Sequence, residues 1–199
     1  MNKEYVFVTG PSESGKSGAA EYMEKYFDDV KHLKMRDIIK MASSKVNDNT
    51  EQFWNEYINM ATTMSEGKSI IVMDTLRKPE SAIILSRLLK DRMHILYIDA
   101  KLKNRVIREY TKLINEGKNI SLEEVLDRTS KKDREKERFG LGKIKTLVKD
   151  NEGSVKLQGK GNLYPTIIDN NGSLDELYRR LEEFINNIKL KNKEDIERW

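Results

Sequence analysis

Short apolar runs alternate with longer segments of helical periodicity along the whole of this 199-residue chain. Runs rich in β-branched and aromatic residues predict strands over Glu4–Thr9, Asp29–Leu33, Ser69–Asp74, Met93–Asp99 and Tyr164–Asp169. Apolar positions three and four apart fill the intervals and predict helices. That alternation implies an α/β fold, a five-stranded parallel sheet flanked by helices, formed as one domain over residues 1–199. Two helix starts carry capping boxes, Ser121-Leu122-Glu123-Glu124 and Ser173-Leu174-Asp175-Glu176. The last helix, from Ser173 to about Lys191, sets Leu174, Leu177, Leu181 and Ile185 along one side and closes the domain. Lys143–Gly161 reads two ways. Ile144, Leu147 and Val148 fit a helix, whereas Ile144, Thr146, Val148, Val155 and Leu157 fit a hairpin turning at Asp150–Gly153.

At the first strand-to-helix junction, Gly10-Pro11-Ser12-Glu13-Ser14-Gly15-Lys16-Ser17 reads G-x-x-x-x-G-K-S. By composition, such a pattern arises by chance in a chain this long roughly one time in a hundred, and a strand before with a helix after lowers the odds further. Gly10 and Gly15 let the backbone wrap closely, so that successive N–H groups and the positive end of the helix face an anion. Lys16 then neutralises β- and γ-phosphates and the Ser17 hydroxyl ligates Mg²⁺, with Ser12, Glu13, Ser14 and Gly18 completing the nucleotide-contacting set. ATP and Mg²⁺ are the cofactors this implies.

Downstream residues separate the classes that share such a loop. Asn192-Lys193-Glu194-Asp195 matches the guanine-reading N-K-x-D as text, but it has no apolar run before it. Asp169-Asn170-Asn171-Gly172 follows a strand but lies far too late to sense a γ-phosphate, so a GTPase is disfavoured. Asp74 ends the third strand, in the crevice where open α/β sheets bind ligands. It either holds a water of the Mg²⁺ shell and orients the attacking group or simply accepts backbone N–H bonds. Arg77, three residues on, either forks onto a second anion or pairs with Glu80 at the surface.

After the second strand, Asp37 either caps the next helix or takes the proton of an acceptor hydroxyl, with Arg36 or Lys40 on the acceptor's phosphate. Helices over about 36–67 then cover the acceptor side, including Asn49–Gly67 with its apolar Phe53, Trp54, Tyr57, Ile58, Ala61 and Met64. The charge-dense stretch from Asn104 to Gly140 is either a solvated helical surface or a lid, at about 117–142, whose arginines close over the transferring group. Arg128 and Arg138 flank Asp133 within it.

Composition narrows the chemistry further. With no cysteine and only His32 and His94, disulfides, thiolates and His/Cys metal clusters are excluded, so any metal is held by oxygen. A net charge of +4 suits phosphate-rich small molecules and falls short of a nucleic-acid footprint. No segment has the length of a membrane span and none resembles a signal peptide, which predicts a cytoplasmic protein without membrane partners, a monomer or homodimer.

Taken together, the phosphate loop, the Lys34-Met35-Arg36-Asp37-Ile38-Ile39 junction, Asp74 to Glu80, the Arg105–Arg108 helix, the Arg128…Asp133 stretch and the closing Ile168 to Leu174 resemble the P-loop nucleoside monophosphate kinase-like group. The resemblance is closest to dephospho-coenzyme A kinases and adenylate kinase-like proteins. It implies an enzyme that moves the γ-phosphoryl group of ATP to a small acceptor, a nucleoside monophosphate or a dephospho-coenzyme A-like hydroxyl or phosphate. It assigns Asp37 to the acceptor hydroxyl, Arg77 to the acceptor, and Arg128 and Arg138 to the phosphates; Lys16 and Asp74 complete the catalytic set. The alternative is a nucleotide-binding regulator, or an ATPase coupled to a protein partner, without small-molecule kinase activity.

Overall fold

The continuous apolar runs of the central strands require a sheet covered on both faces, and the computed structural model, which describes residues 3–43, 51–149, 155–156 and 162–197, has one. Strands β1 (Glu4–Thr9), β2 (Val30–Lys34), β3 (Ile70–Asp74), β4 (Met93–Asp99), β5 (Val155–Lys156) and β6 (Asn162–Asp169) form one sheet in the order β2-β3-β1-β4-β6-β5. β2, β3, β1, β4 and β6 run parallel, as expected, and β5 is antiparallel to β6. The chain from β5 to β6 is too short for a crossover, so it can only return antiparallel. The described helices are α1 (Lys16–Tyr26), α2 (Met35–Ser43), α3 (Glu51–Met64), α4 (Pro79–Leu89), α5 (Leu102–Asn115), α6 (Leu122–Arg138), α7 (Leu141–Lys149) and α8 (Leu174–Glu197).

The helical reading of Lys143–Gly161 holds, and the expected hairpin is corrected: its first arm, Ile144 to Val148, is helix, and Val155–Lys156 pairs with β6 instead of with that arm. Helix α7 runs to Lys149 with Ile144 and Val148 buried, and Val155 and Lys156 then pair with β6; residues 150–154 and 157–161 lie outside the described residues. Asn49, expected at the start of the aromatic helix, also lies outside them.

One sheet face packs Tyr5, Phe7, Ile71, Met73, Ile95 and Tyr97 against α2, α3, α4 and α7, where Phe53, Trp54, Tyr57 and Ala61 of α3 are all core. The other packs Val6, Val8, Val72, Leu96 and Ile98 against α1 and α8. Ala19 and Ala20 lie fully buried on α1, and small side chains there let the helix approach the sheet closely. On α8, Leu177, Leu181 and Ile185 are buried as expected, but Leu174 is 62% exposed because it sits in the first turn, before the helix reaches the sheet. Tyr22 of α1 stacks on Tyr178 of α8 with ring centroids 3.8 Å apart and donates to Glu182 at 2.6 Å. The expected capping box is complete at Ser121, where side chain and backbone exchange bonds with Glu124. At Ser173 the hydroxyl caps the Glu176 N–H, while the Glu176 carboxylate turns to Arg180 at 2.8 Å. Helices α5 and α6 share a smaller apolar cluster of Val106, Leu113 and Val125.

The connection from β1 leads toward β2 and that from β4 toward β6. A crevice therefore opens at the C-terminal ends of β1 and β4.

Candidate active site

Loop 10–15 leaves β1 at that crevice, and its shape depends on two glycines. Gly10 has φ +136°, and a Cβ there would stand 2.2 Å from the carbonyl oxygen of Ile98 on β4. Gly15 has φ +99°, and a Cβ there would stand 2.5 Å from Asn170 Nδ2. The loop is thus pressed against β4 and against the residue that follows β6. Asn170, almost fully buried, donates from Nδ2 to the Ser14 carbonyl at 2.8 Å and from its backbone N–H to Asp99 at 2.7 Å. Helix α1 begins at Lys16 with the Ala19 N–H on the Gly15 carbonyl, leaving the amides of its first turn without helical partners. Replacing Asn170 with alanine is expected to cost about 1–2 kcal/mol, read by denaturant unfolding, because the Ser14 carbonyl loses its buried donor.

Lys16 lies at the floor of the site. Its ammonium donates to the Pro11 carbonyl and to Ser14 Oγ, the latter at 3.4 Å. Burial, with the nearby Lys136 ammonium second, pulls its pKa down to about 7 from an ordinary 10.5. Lys136 is lowered too, first by burial and then by Arg77. The unfolded chain keeps the Lys16 proton up to about pH 10.5, whereas the folded chain releases it above about pH 7. In that window the unfolded state binds more protons, so stability rises with pH. The melting temperature is expected to climb between pH 7 and pH 9, and Lys16→Met should flatten the climb.

Helix α6 covers the loop. Asp133 accepts the Ser12 N–H at 3.0 Å and pairs with Arg105 at 2.7 Å, Lys132 pairs with Glu13 at 2.6 Å, and Lys136 reaches the Gly10 carbonyl at 3.5 Å. Arg105 is buried and also donates to the carbonyls of Ala100, at 2.9 Å, and Ser12, at 2.8 Å. Glu13 holds a left-handed backbone, φ 58°, within this contact. The cleft left between the loop, α5 and α6 has a volume of about 600 Å³. Six cationic side chains, Lys16, Arg77, Arg108, Lys112, Lys132 and Lys136, line it against the three carboxylates of Glu13, Glu109 and Glu135. Arg108 NH1 is buried there with no hydrogen-bond partner. A cationic excess with a donor left over is suited to a polyanion.

Of the residues singled out from sequence, Ser12, Glu13, Gly15, Lys16, Ser17, Gly18 and Arg77 line this cleft, and Gly10 and Ser14 shape the loop behind it. Asp74 stands opposite Val8 in the β1–β3 register, two residues before the loop. The His32 imidazole beside it is the largest influence holding its carboxyl below the usual range. Asp37 lies exposed in the first turn of α2, 3.4 Å from Arg36, outside the cleft lining. Arg128 and Arg138 are exposed on α6 and also outside it. Lys132, Glu135, Lys136 and Phe139 form the i, i+3, i+4, i+7 stripe that faces the cleft; Arg128 precedes that stripe by a turn and Arg138 lies off it.

Arg105 and Arg108 belong to the Asn104–Gly140 stretch read as a solvated surface or a lid, whereas Lys132, Lys136 and Asn170 carry no individual role in the sequence reading. For the two lysines the readable signal is their helical spacing on α6. Among the described residues no group of three or more His, Cys, Asp or Glu can hold a metal ion. Ser17, exposed at the start of α1, offers a hydroxyl oxygen in the cleft, and Asp74 offers a carboxylate at the end of β3, outside the cleft lining.

No protein-family model and no curated protein matches this sequence. Among solved structures, the Thermus thermophilus protein TT1252 superposes with a TM-score of 0.52 over 94% of this chain and 98% of its own, at 16% identity. An unliganded sugar kinase from Janibacter sp. HTCC2649 superposes over 92% of this chain and 95% of its own at 13% identity, with a TM-score of 0.46, a likeness too loose to argue from. The first likeness shows a shared α/β fold. No described helix is long and apolar enough to cross a membrane.

Proposed function

We propose that this chain is an ATP-dependent phosphotransferase that moves the γ-phosphoryl group to a small acceptor, a nucleoside monophosphate or a dephospho-coenzyme A-like hydroxyl or phosphate. The observation that carries the reading is the glycine-shaped loop whose open amides and buried Lys16 form the floor of a strongly cationic cleft. Charge in such a transfer spreads over the equatorial phosphoryl oxygens, so catalysis is mostly positioning and neutralisation. Lys16 meets the β/γ oxygens from below, and Lys132, Lys136 and Arg108 meet them from the helices above. Ser17, with Asp74 acting through water, would hold Mg²⁺, which would supply further charge neutralisation at the phosphates. Arg77, free of an ion pair among the described residues, binds the acceptor, and Asp37 serves its hydroxyl. With α6 over the loop, water that would hydrolyse the donor is kept out.

The test is calorimetric titration with Mg·ATP, followed by ADP release across nucleoside monophosphates, dephospho-coenzyme A and small phosphorylated metabolites. Saturable binding with one acceptor that accelerates ADP release supports the reading. No heat with Mg·ATP sinks it, and binding without any stimulated release favours a nucleotide-binding regulator.

A further inference from the structure

We infer that the His32 imidazole is a positioning residue for Asp74, fixing one carboxylate oxygen so that the other stays free for a metal-bound water. The inference rests on the phosphotransferase reading proposed above and adds to it a residue on the edge strand.

Register brings the two together. β2 and β3 pair with His32 opposite Val72 and Lys34 opposite Asp74, so the side chains of residues 32 and 74 project from the same sheet face, two positions apart on adjoining strands. His32 Nε2 stands 3.7 Å from Asp74 Oδ2, with side-chain exposures of 7% and 17%. That nitrogen is buried and has no hydrogen-bond partner. The other nearby carboxylate is engaged, since Glu24 of α1 accepts Lys31 Nζ at 2.6 Å and the His32 backbone N–H. Lys34 and Arg36 add positive charge around Asp74. Among these neighbours Asp74 is therefore the acceptor left for an imidazole N–H, and a small side-chain rotation brings 3.7 Å to hydrogen-bond length.

The chain's second histidine shows what a purely structural one looks like. His94 Nε2 lies 2.7 Å from Glu4 Oε2, with both side chains 4% exposed, at the N-terminal ends of β4 and β1 and so at the opposite end of the sheet from the phosphate loop. His32 differs on both counts: its contact is open, and its partner ends the strand beside the phosphate loop. A carboxylate that must present one oxygen in a fixed direction needs its other oxygen held, which is how residues behind a metal's ligands act generally.

Two histidines in the whole chain make the test spectroscopically simple. Ring nitrogen–proton correlation spectra, assigned with His32→Leu, should show the His32 ring protonated on Nε2. Asp74→Asn should move the His32 signals and leave those of His94 in place. In calorimetry, His32→Leu should raise the Mg²⁺ concentration needed for tight ATP binding roughly 10-fold. His32→Gln, which keeps a donor, should restore it to within about 3-fold, while metal-free ATP binds all variants alike. His32→Leu with a wild-type melting curve and wild-type Mg²⁺ dependence overturns the inference alone. An indifferent His32 ring in Asp74→Asn does the same and needs no His32 variant to fold. Absence of Mg·ATP binding by the unsubstituted chain overturns the parent reading, and this one with it.

Discussion

Lys16→Ala is expected to reduce phosphoryl transfer by about 10³-fold while the melting temperature at neutral pH stays level or rises. The two halves of this result have one cause. Lys16 is buried beneath the cleft, where desolvation and Lys136 disfavour its charge. The folded chain therefore carries an ammonium that costs stability and has value where it meets an anion. Among the described residues its hydrogen bonds go to Pro11 and Ser14. Steady-state kinetics beside thermal unfolding measure both halves. A variant that turns over ATP at the wild-type rate would remove the loop from the mechanism, and one that unfolds would show that Lys16 builds the loop rather than serves it.

Arg105→Ala is expected to give the largest loss of stability, about 3 kcal/mol, which at this chain length lowers the melting temperature by roughly 6 to 12 °C. Arg105 holds three acceptors at once, the carbonyls of Ala100 and Ser12 and the carboxylate of Asp133. It thereby joins the end of β4, the phosphate loop and α6. Truncation removes the ion-pair partner of Asp133, a carboxylate with 24% of its side chain exposed, and leaves it the Ser12 N–H and the more distant Lys136 charge. Arg105→Lys should recover less than half of the loss, since an ammonium on a flexible stem cannot reproduce a planar fork onto three acceptors. A loss under about 1 kcal/mol in denaturant melts would mean that the three-way junction contributes little.

How much of this was readable beforehand follows from where the information resides. The five parallel strands are found within two residues of their expected limits, because strands buried on both faces write their burial directly into continuous apolar runs. The shape of loop 10–15 was readable because its pattern is local, with glycines, lysine and serine within eight residues. The α6 side of the cleft was not. Arginines 128 and 138 stand out as charges, but which residues face the cleft depends on helix phase and on how far along the helix the cleft reaches: phase removes Arg138, and Arg128, in phase with Lys132 and Lys136, lies one turn short. Asn170 was passed over within a match to a GTPase element, although its carboxamide supports the loop from 156 residues away in the chain. Long-range contacts of that kind leave no local trace. In Lys143–Gly161 the apolar spacing of residues 144–148 fits two periods at once; packing on the sheet selects the helix, and Val155–Lys156 finds its strand partner in β6, which no local pattern specifies.

The grips of Asn170 and of α6 on the loop differ in what they hold. Asn170 takes a carbonyl oxygen, whereas Asp133 takes an N–H and Lys132 pairs with a carboxylate. An arriving phosphate competes for donors and cations and has no use for a carbonyl. The α6 contacts are therefore exchangeable with ligand, and the Asn170 contact persists through binding. The backbone meets its ligand with most of its conformational freedom already surrendered, so association loses little further entropy there, and the reorganisation it requires is confined to one helix.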